Sequence, residues 1–232
     1  MDLTAITSDD MYKIEENAET NFCVRRMYMM ENAGHGLADF IKFKMDELGT
    51  RIADKRILAV CGGGNNGGDA MVCIRHLSYD PGANYEVLLL TDPHQLRTEE
   101  TRTNWAILKK LESVKLYWSN EINQIQEKIL DADILIDGIL GTGVSGSIRE
   151  PHSSAIDCIN KSGAYIFSVD IPSGLDPNTG LVHDKCVRAK ATVTFHRVKK
   201  GLLNNEKYTG QIHLENIGIP REAERGILVD GT

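Results

Sequence analysis

Cys61-Gly62-Gly63-Gly64-Asn65-Asn66-Gly67-Gly68-Asp69 is a run of small residues between two apolar stretches. Before it, Arg56-Ile-Leu-Ala-Val-Cys61 reads as a short buried strand, and after it Ala70-Met-Val-Cys-Ile-Arg-His-Leu77 reads as the start of a helix. A strand-to-helix turn of this kind presents unpaired backbone N–H groups and the positive end of the helix dipole to an anion. Gly62, Gly64 and Gly67 also fit G-x-G-x-x-G, a spacing that is weak evidence by itself. Asn65, Asn66 and Asp69 sharpen it, because they add amide oxygens and a carboxylate able to hold sugar hydroxyls or a cation.

Working outward, apolar strands alternate with helical stretches from Arg56 onward, the pattern of βαβ units and a parallel sheet. The reading places strands near 56–61, 85–91, 114–118, 133–137, 164–169, 188–196 and 211–214, and helices near 68–79, 98–112, 121–130 and 151–161. Upstream, Ser8-Asp9-Asp10 caps one helix, and Asn21 to Met45 supplies a longer, Met-rich one. The expected architecture is therefore α/β: a Rossmann-like three-layer fold with a mostly parallel central sheet and an N-terminal helical extension. Residues 1–232 are read as one domain, with 1–50 as the extension and 55–218 as the core. The tail from Ile219 to Thr232 is charged and aperiodic, as expected of a frayed end or the start of a linker.

Composition narrows the function. A chain of 232 residues that is 41% hydrophobic buries a substantial core. No apolar run approaches the roughly 20 residues of a membrane span. The first fifteen residues carry Asp2, Asp9, Asp10 and Glu15, unlike a secretory or transit peptide, so the expected location is the cytoplasm. A formal charge of −7 disfavours nucleic acid as a partner. Five cysteines without a C-x-x-C pair argue against a disulfide framework or a zinc site, and Cys61, Cys73, Cys158 and Cys186 read as inert core thiols.

In open parallel sheets, ligands bind beyond the carboxyl ends of the strands. Four expected strands end in unusual chemistry: the loop to Asp69; Asp137 followed by Gly138-Ile-Leu-Gly141-Thr-Gly-Val-Ser-Gly-Ser147; Asp170-Ile-Pro-Ser173-Gly174; and His196-Arg197-Val-Lys199-Lys200-Gly201. Glycines after strands often serve only turns, a strand-terminal Asp often caps, and a lysine pair is by default a solvated surface run. Two carboxylates, an Asn pair, a Ser and two donor-rich loops on one edge exceed what turns require. Lys199 and Lys200 are the best local charge for a pyrophosphate or 2′-phosphate.

Taken in order, Gly62-Gly-Gly-Asn-Asn-Gly-Gly-Asp69, Asp137-x-x-x-Gly-Thr-Gly-x-x-Gly146 with Arg149-Glu150-Pro151, and Asp170-Ile-Pro-Ser-Gly174 resemble the signature motifs of the NAD(P)H-hydrate epimerases, or YjeF N-terminal domain. Met30-Glu31-Asn32-Ala33-Gly34 is similar to a fourth. The resemblance implies binding of reduced nicotinamide nucleotides hydrated at C6 and interconversion of their R and S epimers. It implies contact of substrate with Asn65, Asn66, Gly67, Gly68, Asp69, Gly141, Thr142, Gly143, Val144, Ser145, Gly146, Ser147 and Asp170. It further implies a potassium ion on Asn66, Asp137 and Ser173, a homodimer, and coupling to a dehydratase specific for the S form. Amide, carboxylate and hydroxyl oxygens suit a hard cation.

The carbon to be inverted bears a hydroxyl and the ring nitrogen, so no redox step is needed. Either water leaves to give an iminium ion and returns, or the C–N bond opens and recloses; both need proton transfer, assigned here to Asp170. Two other readings compete. An ordinary dehydrogenase would place an acidic residue about 20 residues beyond the glycines, whereas Asp92 lies 30 beyond Gly62 (92 − 62) and no catalytic His–Asp or Tyr–Lys pair stands out. A non-catalytic scaffold of the same fold would not need Asn66, Asp137, Asp170 and Ser173 together. The exposed face of the Met27 to Met45 helix is the expected place for dimer or partner contact.

Overall fold

The computed structural model describes residues 5–141 and 146–228. Its strands are β1 (Arg56–Cys61), β2 (Asn84–Leu89), β3 (Val114–Trp118), β4 (Ile134–Gly138), β5 (Tyr165–Val169), β6 (Ala191–Phe195) and β7 (Gln211–Glu215). They form one sheet in the order β3-β2-β1-β4-β5-β6-β7, and every neighbouring pair is parallel. The helices are α1 (Ser8–Phe22), α2 (Arg26–Glu47), α3 (Asn65–Leu77), α4 (Glu99–Leu108), α5 (Ile122–Leu130), α6 (His152–Lys161) and the single turn α7 (Glu206–Thr209).

The three layers follow from side chains alternating across each strand. Along β1, Ile57, Ala59 and Cys61 join one core with Leu37 and Ile41 of α2 and Met71 and Ile74 of α3. Leu58 and Val60 point the other way, into a core with Ile125 and Ile129 of α5 and Ile156 and Ile159 of α6. Strands covered on both faces read as continuous apolar runs, which is why β1 and β4 carry almost no polar residue until their ends. Each such fully buried aliphatic side chain contributes about 1.5–3 kcal/mol.

The N-terminal extension belongs to the first of these cores, through Met11, Ile14 and Ala18 of α1. Its cap is Thr7, not the Ser8-Asp9-Asp10 stretch itself: Thr7 Oγ1 accepts from Asp10 N, and Asp10 Oδ2 accepts from Thr7 N, each at 3.1 Å. The second helix starts at Arg26, not Asn21, because Cys23 turns left-handed (φ 59°) and ends α1.

The chain leaves β1 toward β2 on one side and returns to β4 on the other, so a crevice opens where β1 and β4 end. Backbones meet closely there. A Cβ at Gly62 would lie 2.0 Å from the Ile139 carbonyl oxygen, and one at Gly67 would lie 2.1 Å from the Gly62 oxygen. Neither position admits a side chain, and this brings the start of α3 against the ends of both strands.

Candidate active site

Helix α3 begins at Asn65, with extended Gly64 as its N-cap, three residues earlier than the apolar pattern indicated. Asn65, Asn66, Gly67 and Gly68 therefore form its first turn and Asp69 follows in the next. Glycine at the N-cap and amides in the first turn lie outside hydrophobic periodicity, which is why the pattern located the start too late. The first N–H groups of the helix have no intrahelical acceptor and open toward the crevice.

At the end of β4, Asp137 is wholly buried and accepts four hydrogen bonds: from Ser173 Oγ at 2.5 Å, Ser173 N at 2.9 Å, Ser168 Oγ at 2.8 Å and Ile139 N at 3.4 Å. Ser173 Oγ also accepts from Leu140 N at 2.9 Å. Asn66 reaches the same cluster, its Nδ2 donating to the Val169 carbonyl at 2.7 Å. Burial pushes the Asp137 carboxyl above the usual carboxylate range, and the Ser173, Ser168 and Ile139 bonds oppose that rise. Among the described residues Asp137 has no cationic partner. A buried carboxylate beside an amide, a hydroxyl and main-chain carbonyls is an oxygen-only set that fits a hard cation.

Asp170 follows β5 in a left-handed conformation, φ 60°, costing about 1–3 kcal/mol for a residue with a Cβ. The turn is held by Asp170 N donating to Val193 O at 2.8 Å, and it aims the carboxylate toward β6. There Oδ1 accepts from Thr194 Oγ1 at 3.1 Å, from Phe195 N at 3.2 Å and from the Lys199 ammonium. Lys199 also donates to Phe195 O at 3.0 Å and is 1% exposed. This corrects the reading of Lys199 and Lys200 as an anion-facing or solvated pair. The first is sunk against Asp170 and the second is exposed, because Lys200 starts a 3-10 turn that points it away.

A cavity of about 200 Å³ lies over these groups, walled by Asp170, Lys199 and Phe195 on the sheet side, by Asn65, Asn66 and Asp69 of α3, and by Met11, Tyr12, Glu15, Arg26 and Met30 of α1 and α2. Burial lifts the Asp69 carboxyl well above its ordinary range, with Asp170 and Glu15 adding repulsion and Lys199 opposing. Glu15 is also raised by burial, against the pull of Arg26 3.1 Å away. A second cavity of about 200 Å³ shares Asn65 and Asn66 and is lined by Gly63, Gly64, Gly67, Arg97, Gly141 and His152. Burial and the nearby Arg97 hold His152 below its usual pKa.

The sequence-derived residues thus meet at one edge of the sheet. Asn65 and Asn66 line both cavities, Asp69 and Asp170 the first, and Gly67 and Gly141 the second. Gly68 lines neither and faces Met30 and Thr101 inside the helical layer. Gly146 and Ser147 are exposed and line neither cavity, while Thr142, Gly143, Val144 and Ser145 lie outside the described residues. Of the Met30 motif, Met30 faces the first cavity and Asn32 donates to the Ile217 carbonyl at 3.0 Å, tying α2 to the segment after β7.

Residues 27–201 match the family described as YjeF-related protein N-terminus. The chain belongs to this family. It is 45% identical over 223 residues to an NAD(P)H-hydrate epimerase of Nitrosopumilus maritimus, covering 96% of this chain and 99% of that one. It is 42% identical over 227 residues to a bifunctional NAD(P)H-hydrate repair enzyme of Pyrobaculum aerophilum, covering 96% of this chain but 43% of that longer one. A yeast protein of known structure superposes with a TM-score of 0.83 over 99% of this chain and 98% of its own at 23% identity, a likeness in fold.

For a YjeF-related domain, four wall residues were not singled out from the sequence. Glu15 and Arg26 sit on the helical extension, and nothing local marks them as facing the sheet edge. Arg97 and His152 follow β2 and open α6, and each is a lone residue in an unremarkable stretch. The only available signal is positional: Arg97 N donates to the Gly63 carbonyl at 2.8 Å, a contact between loops that follow neighbouring strands. The four thiols read as inert are buried, and burial raises the pKa of each.

Proposed function

We propose that this protein is an NAD(P)H-hydrate epimerase, interconverting the R and S forms of NADH and NADPH hydrated at C6. The observation that carries the reading is the placement of Asp170. Its carboxylate sits in the wall of a cavity opposite the first turn of α3, with Oδ1 held by three donors and Oδ2 without a partner among the described residues. A fixed carboxylate with one free oxygen can accept a proton from water or the C6 hydroxyl and give it back, and needs no redox partner. Met11, Met30 and Phe195 supply apolar wall for a dihydropyridine ring. Arg97 and the free N–H groups of α3 favour the nucleotide's phosphates in the adjoining cavity.

Potassium fits the cluster around Asp137. Asn66, Asp137 and Ser173 would hold it, and when bound it would supply positive charge to a carboxylate that burial leaves short of one. The reading includes a cytoplasmic homodimer, for which α2 exposes Tyr28 and Phe43. Among the described residues no helix is long and apolar enough to cross a membrane. The relative that joins such a domain to more chain in a bifunctional repair enzyme supports coupling to a dehydratase acting on one epimer.

The test is to add the protein to a pool of R epimer left by an S-specific dehydratase and follow the return of reduced nicotinamide absorbance. Recovery at an enzyme-dependent rate is expected, and no recovery refutes the reading. Asp170→Asn should keep nucleotide affinity and slow recovery by at least about 10²-fold.

A further inference from the structure

Four acidic residues line the first cavity, Glu15, Asp69, Glu100 and Asp170, and the two on the sheet side and α3, Asp170 and Asp69, have opposite surroundings. Asp170 receives a hydroxyl, a main-chain N–H and an ammonium on Oδ1. Asp69 is 7% exposed, lines the same cavity from α3, and has no hydrogen bond or ion pair to its carboxyl among the described residues. A carboxyl group without donors is neutral more readily than one supplied with them, and a neutral carboxyl is a proton donor. Unequal carboxyls in one site are the arrangement by which enzymes separate an acid from a base.

Resting on the epimerase reading, we propose that Asp69 is a second catalytic residue, the general acid that acts on the C6 oxygen on the face opposite Asp170. In one direction, the Asp69 carboxyl gives its proton to the C6 hydroxyl as the C6–O bond breaks, and the bonding pair leaves with water. The ring nitrogen's lone pair forms the C6=N1 bond of an iminium ion. A water on the other face donates a lone pair to C6, the C6=N1 pair returns to nitrogen, and the water's proton passes to Asp170 Oδ2. Substrate and product differ only in configuration, and the enzyme ends with Asp69 ionised and Asp170 protonated. The opposite epimer reacts with that form, so both directions use the same residues in exchanged roles.

Such an arrangement explains why the cavity places both carboxyls beneath α1 and α2. Inversion requires oxygen to leave from one face and enter from the other, and a lone proton carrier on one wall serves one face only. The charged groups that line the cavity with Asp69 are Asp170 after β5, Lys199 after β6, Glu15 on α1, Arg26 on α2 and Glu100 on α4. Burial and the two acids favour its neutral form, and Lys199 opposes them. As the donor must be protonated, turnover falls as pH rises through the Asp69 titration.

The deciding experiment compares wild type, Asp69→Asn and Asp69→Glu in the R-epimer recovery assay across pH, with Tm and NADPH affinity measured alongside. Asp69→Asn is expected to keep affinity and to melt no lower than wild type, to slow recovery by at least about 10²-fold, and to lose the alkaline fall of the rate. Asp69→Glu, which restores a carboxyl, should recover part of the rate and the alkaline fall. An Asn variant as fast as an active wild type, or an active wild type whose rate shows no alkaline fall, overturns the role of Asp69 and leaves the epimerase reading intact. Wild type that recovers nothing overturns both. The wild-type profile needs no variant to fold.

Discussion

Replacing Lys199 by Met removes the one cation among the described residues that touches Asp170 while keeping the length and apolar body of the side chain. Three contacts go with it: the ion pair to Asp170 Oδ1, the 3.0 Å bond to Phe195 O and the 3.3 Å bond to Thr194 Oγ1. The pair is sheltered, with side-chain exposures of 1% and 11%. Its loss leaves a buried carboxylate near Asp69 and Glu15, a defect that costs about 3–5 kcal/mol. At about 2–4 °C per kcal/mol for a chain of this size, Tm should fall by roughly 6–20 °C. Lys200→Ala is the control, because that side chain is exposed and its removal should change stability by less than about 0.5 kcal/mol. Adding Asp170→Asn to Lys199→Met removes the orphaned charge and should restore most of the loss, since replacing both partners of a buried pair is often close to neutral. Differential scanning calorimetry of wild type, Lys199→Met, Asp170→Asn and their double variant measures the cycle, with Lys200→Ala as the fifth protein. A Lys199→Met variant that melts within about 2 °C of wild type, like the Lys200 control, would refute the buried pair and return Lys199 to the surface.

Other outcomes follow from the same geometry. Asp69 and Asp137 both titrate above the ordinary carboxylate range because burial penalises their ions. A folded-state pKa above that of the unfolded chain means the fold binds more protons, so the stability these groups supply is complete below about pH 4 and is lost as pH climbs through the raised values. The Tm advantage of Asp69→Asn over wild type should therefore grow with pH, and a constant difference would count against a raised Asp69. Ser173→Ala takes a hydroxyl donor from buried Asp137 and should cost about 1–3 kcal/mol in denaturant unfolding. Exchanging potassium for lithium or sodium should lower the Tm of the liganded protein, and an unchanged Tm would remove the cation from the Asp137 cluster. Arg97→Ala should weaken NADPH binding and raise the His152 pKa, which an NMR titration of the imidazole would report.

The layer order and the strand-tip site were legible because they rest on local regularities. Alternating β and α signals name a parallel sheet, and in such a sheet the residues after each strand share an edge, so Asn66, Asp137, Asp170 and Ser173 could be grouped before any contact was known. Element ends were less legible: α3 starts three residues early because Gly64 and the amides give no periodic signal, and α1 stops where Cys23 turns left-handed. Sequence by itself also determined that charge in the site must be local, since the chain is acidic overall.

Only the tertiary structure decided which charges those are. Lys199 and Lys200 are neighbours in sequence, yet one is buried against Asp170 and the other is in water, because the backbone turns between them. Asp69 and Asp170 are both acidic residues near glycine, yet among the described residues the Asp170 carboxylate has three donors and that of Asp69 has none. Whether a carboxyl holds its proton depends on the dielectric and the donors around it. Those are properties of groups brought together from distant parts of the chain, so no local pattern of residues encodes them.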